Sequence, residues 1–319
     1  MAATAMLFKA SESTWGSTGC QLSAVLDRMP AMGKSASTRS NSASETRQKD
    51  QRPVKRILVT GSTDGIGLAT AIDLARQGHE VILHGRNEER IRHATQQLWE
   101  RVPDAAVEAV IGDFSSLQHV RRVAEAVIAN SDRLDVLINN AAVLSKERRL
   151  SQDGFELTWA VNHLAPFLLT NLLLTLLKRS APARVINVSS MAHTSAHINF
   201  DDLNFERRYE GYDAYAASKL ANILFTYELS RRTARLGVTA NALTPGVVRT
   251  KLLHVYFSGG TSTEEGAATP VYLASNPDVE NVSGAYFVEG RRARSSEASH
   301  NQELAERLWQ VSSEMVGLS

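Results

Sequence analysis

From Lys55 onward, short apolar runs alternate with longer amphipathic segments along nearly the whole chain. Runs such as KRILVT and EVILHG have the continuous apolar character of strands that are buried on both faces of a parallel sheet. The intervening segments repeat their apolar residues at helical spacing, and the first of them ends at a glycine, as a capped helix does. The alternation predicts an α/β fold: a single-domain, doubly wound parallel sheet of about seven strands with helices on both faces.

The first 52 residues differ in composition from everything that follows. They are rich in Ser, Thr and Ala and lack a sustained apolar period, so they cannot bury enough surface to offset the entropy of ordering. We therefore expect residues 1–52 to form a disordered or targeting-like tail and residues 53–319 to form one folded domain. Acidic residues in the tail argue against a transit peptide, and a start codon placed too far upstream is a third explanation.

Charge and cysteine content exclude several classes of function. The formal net charge is +1, so no overall field favours nucleic acid or an anionic membrane. The one cysteine, Cys20, has no partner for an internal disulfide, and no Cys or His cluster has the spacing of a metal site. We expect no metal, no nucleic-acid partner and a reducing, cytoplasmic location, with organelle targeting by the tail left open.

A glycine-rich turn joins the first predicted strand to the first predicted helix. In the segment LVTGSTDGIGLA, the glycines are Gly61, Gly65 and Gly67. Gly61 permits a tight turn, Gly65 lets the backbone approach a pyrophosphate, and Gly67 lets the helix pack closely on the sheet. The helix N-terminus faces the anion, because its free N–H groups carry partial positive charge. The segment predicts a nucleotide-binding site, although such a segment can also be only a turn.

The end of the second predicted strand indicates which dinucleotide is bound. A carboxylate there usually binds a ribose 2′-hydroxyl, whereas a nearby arginine accommodates a 2′-phosphate. The chain has Gly85 at the carboxylate position and Arg86 directly after it, which favours NADP(H) over NAD(H). Arg86 can also be a solvated surface charge, and Asp64 adds a negative charge nearby, so NAD(H) stays possible. Asp113 ends the third strand, where it either accepts from an adenine amino group or caps the next helix.

Seven short motifs follow one another along the folded part of the chain: TGSTDGIG, GDF, NNAA, VN, INVSS, YAASK and TPG. Together they resemble the short-chain dehydrogenase/reductase superfamily over about residues 53–318. The segments around YAASK and the final ERLWQVSSEMVG resemble its retinol-dehydrogenase-like branch. The resemblance implies a dinucleotide-binding catalytic domain that transfers a hydride between a nicotinamide cofactor and a small carbonyl or alcohol substrate, with lipophilic, retinol-like molecules among the candidates.

The resemblance also implies which residues form the site. It places a catalytic tetrad on Asn162, Ser190, Tyr215 and Lys219. The family's serine immediately precedes the loop that leaves the strand, and Ser190 matches that position. Adjacent strand residues point in opposite directions, so only one of Ser189 and Ser190 can face the site. Cofactor contacts are implied for the glycine turn, the strand ends and the loop after the sixth strand, namely Gly61, Ser62, Asp64, Gly65, Ile66, Gly67, Arg86, Asp113, Phe114, Asn139, Asn140, Ala141, Tyr215, Lys219, Pro245, Gly246, Val248 and Thr250.

Tyr215 and Lys219 stand four residues apart in the segment DAYAASKLAN, so they share one face of a helix. A free tyrosine has a pKa of ~10, and a cation on the same face is expected to stabilise the phenolate and lower that pKa. Tyr215 would then exchange a proton with the substrate oxygen while Ser190 hydrogen-bonds the same oxygen. Asn162 is expected to position a water that links Lys219 to solvent.

One apolar stretch, LAPFLLTNLLLTLL at residues 164–177, is too short for a transmembrane segment, which needs about 20 residues. It is apolar over more of its circumference than one sheet face can cover. In the superfamily this helix and the helix after Tyr215 often pair across a two-fold axis, which suits an isologous contact. We therefore predict a homo-oligomer, either a dimer or a tetramer.

Other interpretations of the chain stay open at the level of sequence. It can be a cofactor-binding regulatory or scaffold protein with little turnover, although the intact tetrad argues against this. An epimerase or dehydratase on the same fold is expected to carry a larger C-terminal substrate domain, and the sequence pattern does not indicate one. We interpret His193 and His197 as loop residues, the RRARSSE run at 291–297 as a solvated turn, and Trp309 as a packing anchor.

Overall fold

The computed structural model of the chain describes residues 53–252, 255–256 and 258–318. The predicted tail, residues 1–52, lies outside these described residues. Within them, the strands are β1 (Arg56–Val59), β2 (Glu80–Gly85), β3 (Val107–Ile111), β4 (Val136–Asn139), β5 (Ala183–Val188), β6 (Val238–Thr244), β7 (Ala285–Val288) and β8 (Arg291–Ala293). The α-helices are α1 (Gly65–Arg76), α2 (Glu88–Arg101), α3 (Leu117–Ala129), α4 (Leu157–Trp159), α5 (Ala165–Arg179), α6 (Gly211–Thr233), α7 (Thr263–Ser275) and α8 (Gln302–Val316).

The strands form one sheet in the order β3-β2-β1-β4-β5-β6-β7-β8. Every pair from β3 to β7 is parallel, and only the β7–β8 pair is antiparallel. The order reverses at β1, because β2 lies on one side of it and β4 on the other. In a doubly wound sheet, ligands bind outside the carboxyl ends of the strands at such a reversal. The predicted α/β class is confirmed, and the fold places a ligand site beside the glycine turn that follows β1.

The eighth strand corrects one sequence interpretation. The run at 291–297 was expected to be a solvated turn, but its first three residues pair with β7 as an exposed edge strand. The hairpin turn is made by Glu289 and Gly290, which both have positive φ angles, of 49° and 72°. Two consecutive residues with positive φ match the twist of a two-residue hairpin, so the chain reverses directly into β8.

The two faces of the sheet carry separate apolar cores. Ile57 and Val59 of β1 pack with α1, α2 and α7 on one face. Leu58, which stands between them, packs with α3, α5, α6 and α8 on the other. Because successive strand residues point to opposite faces, a strand covered on both sides must be apolar throughout. This explains the unbroken apolar runs of the sequence.

A continuous helix runs from Leu157 to Arg179, with a π-helical turn (Ala160–Leu164) between α4 and α5. Among the described residues it is the one helix long and apolar enough to span a membrane, but 78% of its apolar window is buried inside the chain. Leu168, Leu169 and Leu173 are fully buried in the core that α3, α6 and α8 share with α5. Most of the apolar surface of this helix, which was predicted to contact a second copy of the chain, is therefore covered by the chain's own helices. The homo-oligomer stays a prediction.

Candidate active site

A cleft of about 1040 Å³ opens at the carboxyl ends of the central strands. Most of the residues predicted to bind a cofactor line it, namely Gly61, Asp64, Gly65, Ile66, Gly67, Arg86, Asp113, Phe114, Asn140, Ala141, Tyr215, Lys219, Pro245 and Thr250. The cleft therefore joins the glycine turn to the tyrosine and lysine of the predicted tetrad. Within the described residues, no group of three or more His, Cys, Asp or Glu side chains is arranged to hold a metal ion.

The glycine turn is packed against its own helix more closely than the sequence indicates. A Cβ on Gly67 would lie 2.4 Å from the Gly61 carbonyl oxygen and 2.5 Å from Nδ2 of Asn140. That amide donates to the carbonyls of Thr60 and Gly61, at 2.8 and 3.2 Å. Gly67 thus makes room for the turn and for Asn140, rather than for the sheet. The turn and the N-terminus of α1 remain open to the cleft, which fits a pyrophosphate group.

Several predicted contact residues do not face the cleft. Ser62 is fully buried, and its hydroxyl accepts a 2.9 Å hydrogen bond from the His84 backbone N–H. Val248 is buried, and its methyl groups fill the space next to Gly266. Asn139 is buried and donates to Thr170 on α5, at 3.0 Å, and to Asn187 on β5. These side chains support the walls of the cleft. Gly246 has a positive φ of 82° beside Pro245 but does not line the cleft.

One end of the cleft is rich in cations and leaves no room for a carboxylate at the end of β2. A Cβ on Gly85 would lie 2.4 Å from Cγ2 of Thr63. Arg86 and Arg90 both line this end of the cleft. Asp64 was noted from the sequence as a negative charge that disfavours a 2′-phosphate. In the structure it forms an ion pair with Lys251 from the loop after β6. Arg90, in the first turn of α2, was not predicted from the sequence as part of this site.

A second missed residue is His84, which lies in β2 directly before Gly85. Its Nδ1 accepts the Gly61 N–H at 3.0 Å, and its Nε2–H donates to the Gly112 carbonyl at 3.0 Å. The ring stacks on Phe114 with 4.1 Å between the ring centroids. Full burial lowers the pKa of His84 to about 4, so the ring is neutral at pH 7. The sequence signal for these two hydrogen bonds was a histidine inside an otherwise apolar strand.

The catalytic candidates meet where β5 and α6 approach each other. The hydroxyl of Ser190 lies near the hydroxyl of Tyr215 and lowers the pKa of that phenol, against the effect of burial. Ser189 points the other way and donates to the Lys219 carbonyl at 2.7 Å. Nζ of Lys219 lies 5.4 Å from the centre of the Tyr215 ring and donates to the Val188 carbonyl at 3.0 Å. Adjacent residues at the end of β5 thus serve different purposes, and only Ser190 faces the tyrosine.

Burial shifts both pKa values in this group. It raises the pKa of Tyr215 to about 12, while the Ser190 hydroxyl opposes the shift. It lowers the pKa of Lys219 to about 7, because an ammonium group loses its water shell there. The expected lowering of the tyrosine pKa by the lysine is therefore wrong, because the cost of burying a phenolate dominates.

Asn162 lies in the π-helical turn, and its side chain is engaged by the loop after β4. Its Oδ1 accepts the Val143 N–H at 2.8 Å, and its Nδ2 donates to the Val143 carbonyl at 3.0 Å. Nδ2 also donates to the hydroxyl of Ser218 at 3.0 Å. The side chain of Asn162 thus ties the loop after β4 to α6.

A doubly wound sheet whose glycine turn and tyrosine–lysine pair share one cleft defines a dinucleotide-dependent oxidoreductase. The short chain dehydrogenase family matches residues 55–259, and the chain belongs to this family. It is therefore an NAD(P)-dependent oxidoreductase that acts on CH–OH or C=O groups.

Named relatives match most of the chain. Human retinol dehydrogenase 13 is 43% identical over 283 residues, which cover 83% of this chain and 86% of the relative. Human polyprenol dehydrogenase is 39% identical over 285 residues, which cover 84% and 86%. A short chain dehydrogenase of Shigella flexneri, solved in complex with NADP, superposes with a TM-score of 0.62 at 26% identity, over 76% of this chain and 100% of that one. The retinol-dehydrogenase-like branch is thereby confirmed.

Proposed function

We propose that the chain is an NADP-preferring dehydrogenase/reductase of a lipophilic alcohol or aldehyde, with Asn162, Ser190, Tyr215 and Lys219 as its catalytic group. The observation that carries the proposal is Tyr215 beside Lys219, with Nζ 5.4 Å from the ring centre, in the same cleft as the glycine turn. A bound nicotinamide cofactor supplies or accepts the hydride in this family's chemistry.

In the proposed reaction, side chains of the protein transfer the proton to or from the substrate oxygen. Tyr215 gives its hydroxyl proton to the substrate oxygen in reduction and takes a proton from the alcohol in oxidation. Ser190 donates a hydrogen bond to the same oxygen as negative charge develops on it. Lys219 is positioned to return a proton towards Tyr215, because a pKa of about 7 lets it hold or release one near neutrality. Asn162 positions a water that connects Lys219 with solvent.

The end of β2 supports the proposed preference for NADP. A carboxylate at residue 85 would have to displace Thr63, so the usual acceptor for a ribose 2′-hydroxyl has no space. Arg86 and Arg90 offer guanidinium groups for a 2′-phosphate in its place. Lys251 neutralises Asp64 at the same end of the cleft. The NADP bound to the Shigella relative supports the same preference.

A lipophilic substrate is supported by exposed apolar side chains next to the catalytic group. Met191 directly follows Ser190 and is 50% exposed, and Val247 lies two residues after Pro245 and is 57% exposed. Tyr256 lies against the start of α6, with its ring 6.2 Å from the ring of Tyr212. The relatives named for retinol and polyprenol indicate an alcohol on a long apolar chain.

A panel of retinal, polyprenal and short aliphatic aldehydes, assayed with NADPH and with NADH, tests the proposal. We expect turnover with NADPH and apolar aldehydes that exceeds turnover with short polar ones. Cofactor binding without turnover on any member would contradict the enzyme proposal and favour a cofactor-binding scaffold. Equal kcat/KM for the two cofactors would contradict the preference alone.

We also propose that the chain forms a homo-oligomer, because the helices that correspond to α5 and α6 often pair across a two-fold axis in the superfamily. Light scattering on a chain that starts at Pro53, at micromolar concentration and without detergent, tests it. A dimer or tetramer mass is expected, and a monomer mass would contradict it.

A further inference from the structure

His193 is interpreted from the sequence as a loop residue, but its side chain is buried and hydrogen-bonded at both ring nitrogens. It lies in the 3-10 turn Met191–Ser195 that follows the catalytic candidate Ser190. The side chain is 1% exposed, and its ring packs edge-on against Tyr286 of β7 with 5.1 Å between the centroids. A polar ring in such a place requires partners for both nitrogens.

The partners of the ring fix where its proton lies. The backbone N–H of Ser296 points at Nε2 from 3.1 Å, and a backbone N–H can only donate. Nε2 is therefore the acceptor, and the one proton of the neutral ring is on Nδ1. Nδ1–H donates to the Ser190 carbonyl at 2.6 Å, and the backbone N–H of His193 donates to the same carbonyl at 3.2 Å. Burial lowers the pKa of His193, which keeps the ring neutral at pH 7.

Ser296 belongs to a C-terminal segment that is itself anchored to α6. The hydroxyl of Ser295 shares hydrogen bonds with Tyr227 on α6, at 2.7 Å, and with Ser299, at 2.6 Å. The ring of His300 stacks on Tyr227 with 5.4 Å between the centroids. The match to the short chain dehydrogenase family ends at residue 259, so this segment lies beyond the part of the chain that the family match covers.

We propose that His193 is a positioning residue that holds Ser190 in place, as a neutral Nδ1–H imidazole braced by the Ser296 N–H. The inference rests on the proposed role of Ser190 at the substrate oxygen. A serine on a loop must be held to a fraction of an ångström to stabilise charge in the transition state. The Ser190 hydroxyl also caps the 3-10 turn by accepting the Ala192 N–H, so a shift of the turn moves the hydroxyl with it.

The first test needs no substrate. Selective ¹⁵N-histidine labelling reports which ring nitrogen carries the proton, and His193→Phe assigns the signal by its loss. We expect a neutral Nδ1–H tautomer at pH 7. A neutral Nε2–H tautomer, or a ring in exchange between the two, would overturn the proposal whether or not the chain turns over any substrate.

The second test separates positioning from stability. His193→Phe keeps a ring against Tyr286 but removes both hydrogen bonds, whereas His193→Asn keeps a donor near the Ser190 carbonyl. We expect kcat to fall by about 10- to 100-fold in the Phe variant, with an unchanged cofactor Kd, because displacements of about 1 Å have this effect on rate. The Asn variant should recover most of that loss. The exposed His197 on the same loop provides the matched control, and His197→Phe should leave kcat unchanged.

Ser296→Pro removes the donor to Nε2 and puts the proline ring where that N–H points, so the imidazole must move away. The φ angle of Ser296 is −58°, which proline adopts without strain, and the Ser296 hydroxyl has no hydrogen-bond partner that the variant would lose. We expect the tautomer signal to change and kcat to fall, because the His193 ring is displaced from its place beside the Ser190 carbonyl. Wild-type kcat in both His193→Phe and Ser296→Pro would overturn the proposal. A wild-type chain without turnover would contradict the proposed function instead, and the tautomer would still decide this inference.

Discussion

Replacement of Arg86 by aspartate should reverse the preference of the cleft for NADPH. Arg86 is exposed at the cleft end where Thr63 fills the space beside Gly85, so a 2′-phosphate would meet its guanidinium in contact with solvent. A charge-assisted hydrogen bond contributes about 1.5–3 kcal/mol, and solvent exposure places this one near the lower limit. Its loss alone should weaken NADPH binding by about tenfold.

The aspartate adds repulsion to that loss. Two unit charges about 6 Å apart in water repel by roughly 0.7 kcal/mol, and a 2′-phosphate carries nearly two charges. Together the two effects predict a decrease of about 100-fold in NADPH affinity at low salt, which becomes smaller as salt screens the charges. NADH has no 2′-phosphate, so its affinity should stay the same or rise.

Fluorescence titration with NADPH and NADH measures both affinities without a substrate. Arg92→Asp is the matched control, because Arg92 is an exposed arginine of α2 that does not line the cleft. An NADPH-to-NADH affinity ratio that does not change in Arg86→Asp, or that falls equally in Arg92→Asp, would refute the reasoning. Gly85→Asp gives a second readout: it should weaken both cofactors, and Thr63→Ser in the same chain should restore NADH binding by removing the methyl group that blocks the carboxylate.

The other predictions concern the glycine turn, the buried lysine and the C-terminal helix. Gly67→Ala should weaken both cofactors by at least about tenfold, because its methyl group must displace the Gly61 carbonyl or Asn140; unchanged affinity in the same titration would contradict this. The pKa of Lys219, lowered from 10.5 to about 7, means that the unfolded chain binds more protons than the folded chain between these pH values. The free energy of unfolding should therefore gain up to about 1.4 kcal/mol per pH unit from this lysine as pH rises from 7.5 to 9.5. Urea denaturation should show that Lys219→Met loses this gain, and equal slopes would refute it. Trp309→Ala should lower the free energy of unfolding by about 3 kcal/mol, because the ring packs 5.0 Å from Phe167, 5.7 Å from Phe225 and 4.3 Å from the Arg232 guanidinium; a loss below about 1 kcal/mol would contradict that packing role.

Local patterns in the sequence predict the elements of this fold well, because burial on both faces of a parallel sheet imposes its own composition on each strand. The alternation after Lys55 predicts β1 to β7, the glycine turn and the helix that carries Tyr215. Strand β8 was missed because a charged run pairs there only through the backbone of a hairpin. Trp309, interpreted as a packing anchor, does contact Phe167 and Phe225.

The support of the site depends on contacts that no local pattern encodes. The bond from Ser296 to His193 joins residues 103 positions apart in the chain, and the ion pair of Asp64 with Lys251 joins residues 187 apart. The inward orientation of Ser62 depends on His84, a residue of the next strand. The direction in which the pKa of Tyr215 shifts depends on burial, which the four-residue spacing from Lys219 does not reveal.

The most direct test of the proposed chemistry is the kcat of Tyr215→Phe on the best substrate of the panel, measured together with its cofactor Kd. Tyr272→Phe, on α7 at the opposite face of the sheet, is the matched control. The account predicts that Tyr215→Phe loses about 100-fold or more in kcat, as expected when a general acid/base is removed, with cofactor affinity close to that of the wild type. Retention of more than about a tenth of the wild-type kcat would contradict the role of the Tyr215 hydroxyl in proton transfer.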